Sequence, residues 1–86
     1  MEIEIIPLAL KKIVQRNVTI ELVRETIESP HQIVKGYGGR GVRQRKYQDG
    51  GKEKLLRVVC EEEADKIVVI TAYFTTQIER YWEGRI

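Results

Sequence analysis

Apolar residues recur along this chain at two different spacings, and the change of spacing divides it into elements. Leu8, Leu10, Ile13 and Val14 come at near-helical intervals after Pro7, with Lys11, Lys12, Gln15 and Arg16 between them, which predicts a short helix over Pro7–Arg16 with Asn17 at its end. Thr19 stands where an N-cap belongs, Glu21 and Glu25 suit the first turns of a second helix, Ile20, Val23 and Ile27 form its apolar stripe, and Ser29-Pro30 stops it. The spacing then changes. Lys54–Cys60 and Lys66–Thr75 are short, β-branched runs separated by the acidic turn Glu61–Asp65, which predicts an antiparallel hairpin. Gln32–Lys35 and Val42–Gln48 read as two earlier strands, Gly36–Gly41 as a loop, and Asp49-Gly50-Gly51 as a tight turn. Met1–Ile6 reads as a strand or a lead-in, and Gln77–Glu83 as a helical turn or an extended tail. The expected fold class is α+β, one domain over residues 1–86, with two N-terminal helices packed on one face of a four-stranded antiparallel sheet.

Alternation assigns the faces of that sheet. Leu56, Val58 and Cys60, with Val68, Ile70, Ala72 and Phe74, are expected beneath the helices. The open face then carries Leu55, Arg57 and Val59 beside Ile67, Val69, Thr71, Tyr73 and Thr75. In the preceding strand Arg43, Arg45 and Tyr47 share one side and Val42, Gln44 and Lys46 the other, and the first set is expected to join Arg57.

Composition narrows the function classes. With 86 residues, 42% hydrophobic and 33% charged, the chain reads as globular rather than disordered. No apolar run reaches the ~20 residues of a membrane span, and the acidic start MEIEII is unlike a signal peptide. The single Cys60 excludes an intrachain disulfide and fits a reducing cytoplasm, and its neighbours predict an inert buried thiol. No Cys/His spacing suits zinc, the acids after Cys60 lack the calcium-loop pattern, and no cofactor is expected. The net charge of +2 is small, but Lys35–Lys46 holds five basic residues and no acid, a stretch that fits either a phosphate backbone or a solvated hairpin. Gly36-Tyr37-Gly38-Gly39-Arg40-Gly41 matches G-x-G-x-x-G without the strand-to-helix context that dinucleotide binding needs. His31, the one histidine, follows a helix stop and reads as a local turn contact, and Trp82 reads as an anchor for the tail.

The candidate chemistry lies in the polar set Arg43, Arg45, Arg57, Thr71, Tyr73 and Thr75, followed by Arg80 and Tyr81. Arginine grips phosphate through parallel hydrogen bonds, and tyrosine stacks on a base or donates its hydroxyl. Metal-free RNA cleavage needs a base for the ribose 2′-OH, cations for the phosphate and an acid for the leaving oxygen. This set covers the last two roles and offers no obvious base.

The stretches RNVTIELVRETIESPHQIV, KLLRVVCEEEADKIVVITAYFTT and RYW together resemble a family of small prokaryotic domains related to RelE-like toxins, over roughly Leu8 to Trp82. The resemblance implies a RelE/barnase-like fold with its open sheet face as an RNA site, mRNA endonuclease activity that is ribosome-dependent or free, and a small antitoxin protein as partner. By position it implies Arg57, Tyr73 and Tyr81 as the catalytic group, with Arg43, Arg45, Lys46, Thr75 and Arg80 binding RNA. Members of that family commonly begin their first helix with a His-Ala pair. Here Pro7-Leu8-Ala9-Leu10 stands in its place, which leaves Lys11 or Lys12 as a substitute or the chain inactive. Two readings result: a toxin-like, metal-independent endoribonuclease, and a non-catalytic binding or interaction domain. The sequence leaves the oligomeric state open.

Overall fold

The computed structural model describes residues 2–84. Its elements run β1 (Glu2–Ile5), α1 (Pro7–Gln15), α2 (Ile20–Glu28), β2 (Gln32–Lys35), a 3-10 turn (Tyr37–Gly39), β3 (Gly41–Asp49), β4 (Lys52–Glu62), β5 (Lys66–Thr75) and α3 (Ile78–Tyr81). The strands form one five-stranded sheet in the order β1-β5-β4-β3-β2. Its β1–β5 pair is parallel and the other pairs antiparallel. This overturns the expected RelE-like plan of two N-terminal helices on a four-stranded antiparallel sheet. The chain starts with a strand, so the helices fall between the first and second strands in sequence. Glu2–Ile5 alternates polar and apolar residues and lies alongside Lys66–Val69, with Glu4 bridging Lys66 at 2.8 Å.

The helix boundaries follow local chemistry. Pro7 occupies the first helical turn of α1, where a missing N–H breaks no bond. Asn17 ends that helix in the left-handed region (φ 57), its N–H donating to Val14 O while the Val18 N–H reaches Ile13 O. That is a Schellman-type stop, and Val18 seals it by burying its side chain. Thr19 Oγ1 accepts from Leu22 N at 3.2 Å and caps α2.

The core joins Ala9 and Ile13 of α1, Val18, and Val23 and Ile27 of α2 to Leu56, Val58 and Cys60 of β4 and Ile67, Val69 and Ala72 of β5. Two sequence expectations change here. In β5 the residues in the core beneath the helices are Ile67, Val69 and Ala72, with Phe74 packed against them as expected, and Val68 and Ile70 are not among them, because a bulge intervenes: Val59 pairs with Thr71 and Cys60 with Val69, which leaves Ile70 unpaired. One extra residue flips the face of everything before it. In the helices, Leu8, Leu10, Val14 and Ile20 stay exposed, since Ala9 and Ile13 complete the buried stripe of α1 and Val23, Thr26 and Ile27 that of α2.

The β3–β4 hairpin sets the register that matters for the site. Gly50 and Gly51 both have positive φ (58° and 82°), as a two-residue turn between right-twisted strands requires, and Asp49 pairs with Lys52. Counting back along the ladder brings Gln44 opposite Arg57. Among the described residues no helix is long and apolar enough to cross a membrane.

Candidate functional site

A row of polar side chains crosses the sheet on the face opposite α1 and α2. Register places Gln32 of β2 beside Gln44 of β3, Gln44 beside Arg57 of β4, and Arg57 beside Tyr73 of β5. Hydrogen bonds link the row end to end. Gln44 Nε2 donates to Gln32 Oε1 at 2.9 Å, Arg57 Nε donates to Gln44 Oε1 at 2.6 Å, and Arg57 Nη1 donates to the Tyr73 hydroxyl. Gln44 has no exposed surface, while Arg57 and Tyr73 are half-buried.

The C-terminal segment folds across this row. Gln44 Nε2 also donates to Tyr81 O at 3.2 Å. The Gln32 side chain clasps the Glu83 backbone from both sides, Nε2 donating to Glu83 O at 2.6 Å and Oε1 accepting from Glu83 N at 3.0 Å. The Arg57 guanidinium lies 4.1 Å from the Tyr81 ring centroid, and Lys46 Nζ lies 4.1 Å from the Trp82 centroid. Such cation–aromatic contacts contribute about 0.5–2 kcal/mol each, more when desolvated.

Arg57, Tyr73 and Tyr81, the group the resemblance implied, therefore meet at one residue: Arg57 contacts both Tyr73 and Tyr81. Lys46 shares their face and sits two residue pairs further along, opposite Leu55. Arg80 is exposed at the edge, 5.5 Å from the Tyr81 ring. Thr75 spends its hydroxyl locally, accepting from Gln77 N at 3.0 Å. Arg16, which follows α1, adds a further cation by donating to Thr71 Oγ1 and Ala72 O. Among the described residues no carboxylate forms a salt bridge with Arg57, Lys46 or Arg80.

Arg43 and Arg45 are elsewhere. The Gln44–Arg57 pairing turns them, with Tyr47, toward the helices and not onto the Arg57 face. There they serve the end of α2: Arg43 Nη1 donates to Ile27 O at 3.1 Å and Arg45 Nη1 to Ser29 O at 2.6 Å, each guanidinium meeting the negative end of the helix. Carboxylates neutralise both, Arg43 pairing with Glu62 at 2.6 Å and Arg45 with Glu25 at 3.6 Å. Tyr47 donates to the same Glu25 at 2.7 Å, and burial pushes its phenol above the ordinary value. Lys11 and Lys12 fall on α1, on the far side of the sheet from Arg57, so neither stands in beside it for the absent histidine.

The remaining candidates have structural roles. His31 Nδ1 accepts from Lys46 N at 3.0 Å and its own N–H donates to Gln44 O, so it extends the β2–β3 ladder by one side-chain acceptor. Cys60 is buried among apolar neighbours, and desolvation pushes its thiol up to about 11. Strand β3, not a helix, follows the glycine loop, and Gly36 is required there because a Cβ would meet Val42 Cγ2 at 2.7 Å. Among the described residues no group of three His, Cys, Asp or Glu side chains is placed to hold a metal.

Gln32 and Gln44 are the site residues that sequence reasoning passed over. The signal was the two-residue Gly50-Gly51 turn, which alone sets Gln44 opposite Arg57. Neither the curated proteins nor the solved structures searched hold a match to this chain. A family model described as a domain of unknown function (DUF4258) matches residues 9–74, a span that holds Gln32, Gln44, Arg57 and Tyr73 and stops short of Tyr81 and Trp82; the chain belongs to that family.

Proposed function

We propose that the Arg57 face binds single-stranded RNA, and that the protein is a toxin-like, metal-independent endoribonuclease restrained by a small antitoxin protein. The observation that carries this reading is the state of Arg57. Its guanidinium is half-buried, oriented by Gln44 Oε1 and the Tyr73 hydroxyl, and without a carboxylate partner among the described residues. A half-buried arginine is ordinarily matched by an anion, and a phosphate oxygen suits its fork. Lys46 and Arg80 extend the positive charge, and the Tyr81 and Trp82 rings offer surfaces on which bases stack. Kinship with RelE-like toxins is part of this proposal and concerns the reaction, not the fold.

In such a reaction the ribose 2′-oxygen attacks the adjacent phosphorus and the bond to the 5′-oxygen breaks, leaving a 2′,3′-cyclic phosphate and a 5′-hydroxyl. Arg57 holds the charge growing on the phosphoryl oxygens. The Tyr73 oxygen already accepts from Arg57, so its own proton is the one free for the departing 5′-oxygen. The 2′-OH proton passes to solvent water, since the Arg57 cluster is contacted by neither histidine nor carboxylate among the described residues. That same observation favours the second reading, a binding domain that does not cut. An acidic partner fits α1, whose exposed Leu10 and Val14 lie one turn apart on a helix that carries Lys11 and Lys12 and no acid.

The test adds the protein to a cell-free translation reaction with chelator and maps mRNA ends by primer extension, beside anisotropy with a labelled single-stranded RNA. Cuts made by the wild type and not by Arg57→Ala support the endonuclease. RNA binding with intact mRNA selects the non-cutting domain, and absence of both overturns the RNA reading.

A further inference from the structure

Gln44 is the one fully buried, uncharged amide on the Arg57 face, and every polar capacity it has is directed at the site or its cover. Its Oε1 must point at Arg57, because Arg57 Nε is only a donor, and its Nε2 must then point at Gln32 Oε1 and Tyr81 O, which are acceptors. The amide therefore has a single orientation. A carboxylate at this position would hold Arg57 equally well and cancel its charge, whereas an amide holds it and leaves the charge in place.

We propose that Gln44 is the positioning residue of this site. It aims the Arg57 guanidinium at an incoming phosphate without pairing its charge, and through Gln32 ties that aim to the C-terminal segment lying over it. The geometry is continuous: the Glu83 backbone is clasped by Gln32, Gln32 accepts from Gln44, Gln44 accepts from Arg57, and Arg57 donates to Tyr73. Orienting the guanidinium before the ligand arrives removes an ordering cost that binding would otherwise carry. Phosphate binding rests on the proposed function, while the hold of Gln44 on Arg57 does not, and the two are measured separately.

The first measurement is the Arg57 Nε–Hε resonance by NMR, with no RNA present. In the wild type it is protected from solvent exchange at neutral pH. In Gln44→Met, whose folding is checked by its backbone amide spectrum, protection is lost. Retained protection in a folded Gln44→Met overturns the proposal. Should that variant not fold, Gln32→Ala, which removes only the half-exposed end of the row, takes its place, with weaker protection expected and unchanged protection contrary to the proposal.

The second measurement is a double-variant cycle in affinity for a labelled oligouridylate. Gln44→Met lowers affinity about tenfold in the wild-type background, the scale of one hydrogen bond to a charged group. In an Arg57→Ala background it lowers affinity no further, because Gln44 acts through Arg57. Equal losses in both backgrounds mean a merely structural glutamine and overturn the proposal. If wild type binds no oligouridylate, the RNA reading falls, and the resonance still decides whether Gln44 positions Arg57.

Discussion

The Arg57 guanidinium lies 4.1 Å from the centroid of the Tyr81 ring, so the middle of β4 is coupled to the last helical turn across residues distant in sequence. The same guanidinium supplies the donor for the buried Gln44 Oε1. Arg57→Ala thus costs about 1–3 kcal/mol of stability by leaving that oxygen unpaired, in addition to any loss of binding. Arg57→Lys keeps the charge and loses the fork. Thermal melts and RNA titrations at several salt concentrations separate the two effects. Arg57→Ala lowers the slope of log affinity against log salt by about one, and Arg57→Lys leaves it near the wild-type value with weaker binding throughout. An unchanged slope in Arg57→Ala counts against a phosphate at this residue.

Arg43 and Arg45 behave differently because they face the helices. Arg43→Gln and Arg45→Gln each remove a charged donor from a carbonyl at the end of α2, a loss of about 1–2 kcal/mol. Their RNA affinity and salt slope stay within about twofold of wild type, on the scale of a variant that leaves the binding face intact. Losses matching those of Arg57→Ala would move the binding surface to the other side of the sheet.

Trp82 is the one tryptophan of the chain and stacks on Lys46. Trp82→Ala removes the contact and loosens the segment over Gln44, at a cost of about 1 kcal/mol, which for a domain of this size is a fall of about 4–8 °C in melting temperature. Calorimetry measures it. A melting temperature equal to wild type would show that the segment is not fastened through this ring.

Cys60 predicts an alkaline limit to stability. Burial raises its thiol from 9.0 to about 11, so the unfolded chain loses this proton first. The contribution is fully present below pH 9 and is lost as pH rises toward 11, amounting to on the order of 2 kcal/mol. Tyr47, raised from 10.0 chiefly by burial, acts in the same direction at higher pH. Urea unfolding at pH 8, 9, 10 and 11 should show the decline, and Cys60→Val should flatten its lower half. A thiol reagent at pH 8 should label the native protein far more slowly than the unfolded one. Equal labelling rates would place Cys60 at the surface.

Much of the local order was legible from short-range chemistry. Thr19 at the start of α2, Asn17 after α1, the stop at Ser29-Pro30 and the spans Gln32–Lys35 and Lys66–Thr75 each depend on residues within a turn of one another. That Arg57 and Tyr73 share a face followed from alternation on adjacent strands. The errors arose where a single residue decides a face. Ile70 is an extra residue in β5, and no periodicity reveals which of several β-branched residues will be left unpaired. Arg43 and Arg45 were given the right companions and the wrong side, although the Gly50-Gly51 turn held the answer.

Local propensity and alternation in this chain specify which residues are helical, which are extended and which side chains travel together, because those depend on steric and hydrogen-bonding terms a few residues long. Long-range pairing decides the rest. Glu2–Ile5 becomes a strand through its parallel contact with β5, more than sixty residues away. The Tyr81–Glu83 backbone reaches the Gln32–Gln44–Arg57 row only after the sheet has assembled. Such contacts come from chain closure and burial, which no local pattern encodes, and they turn a half-exposed arginine into an oriented cation with no carboxylate partner among the described residues.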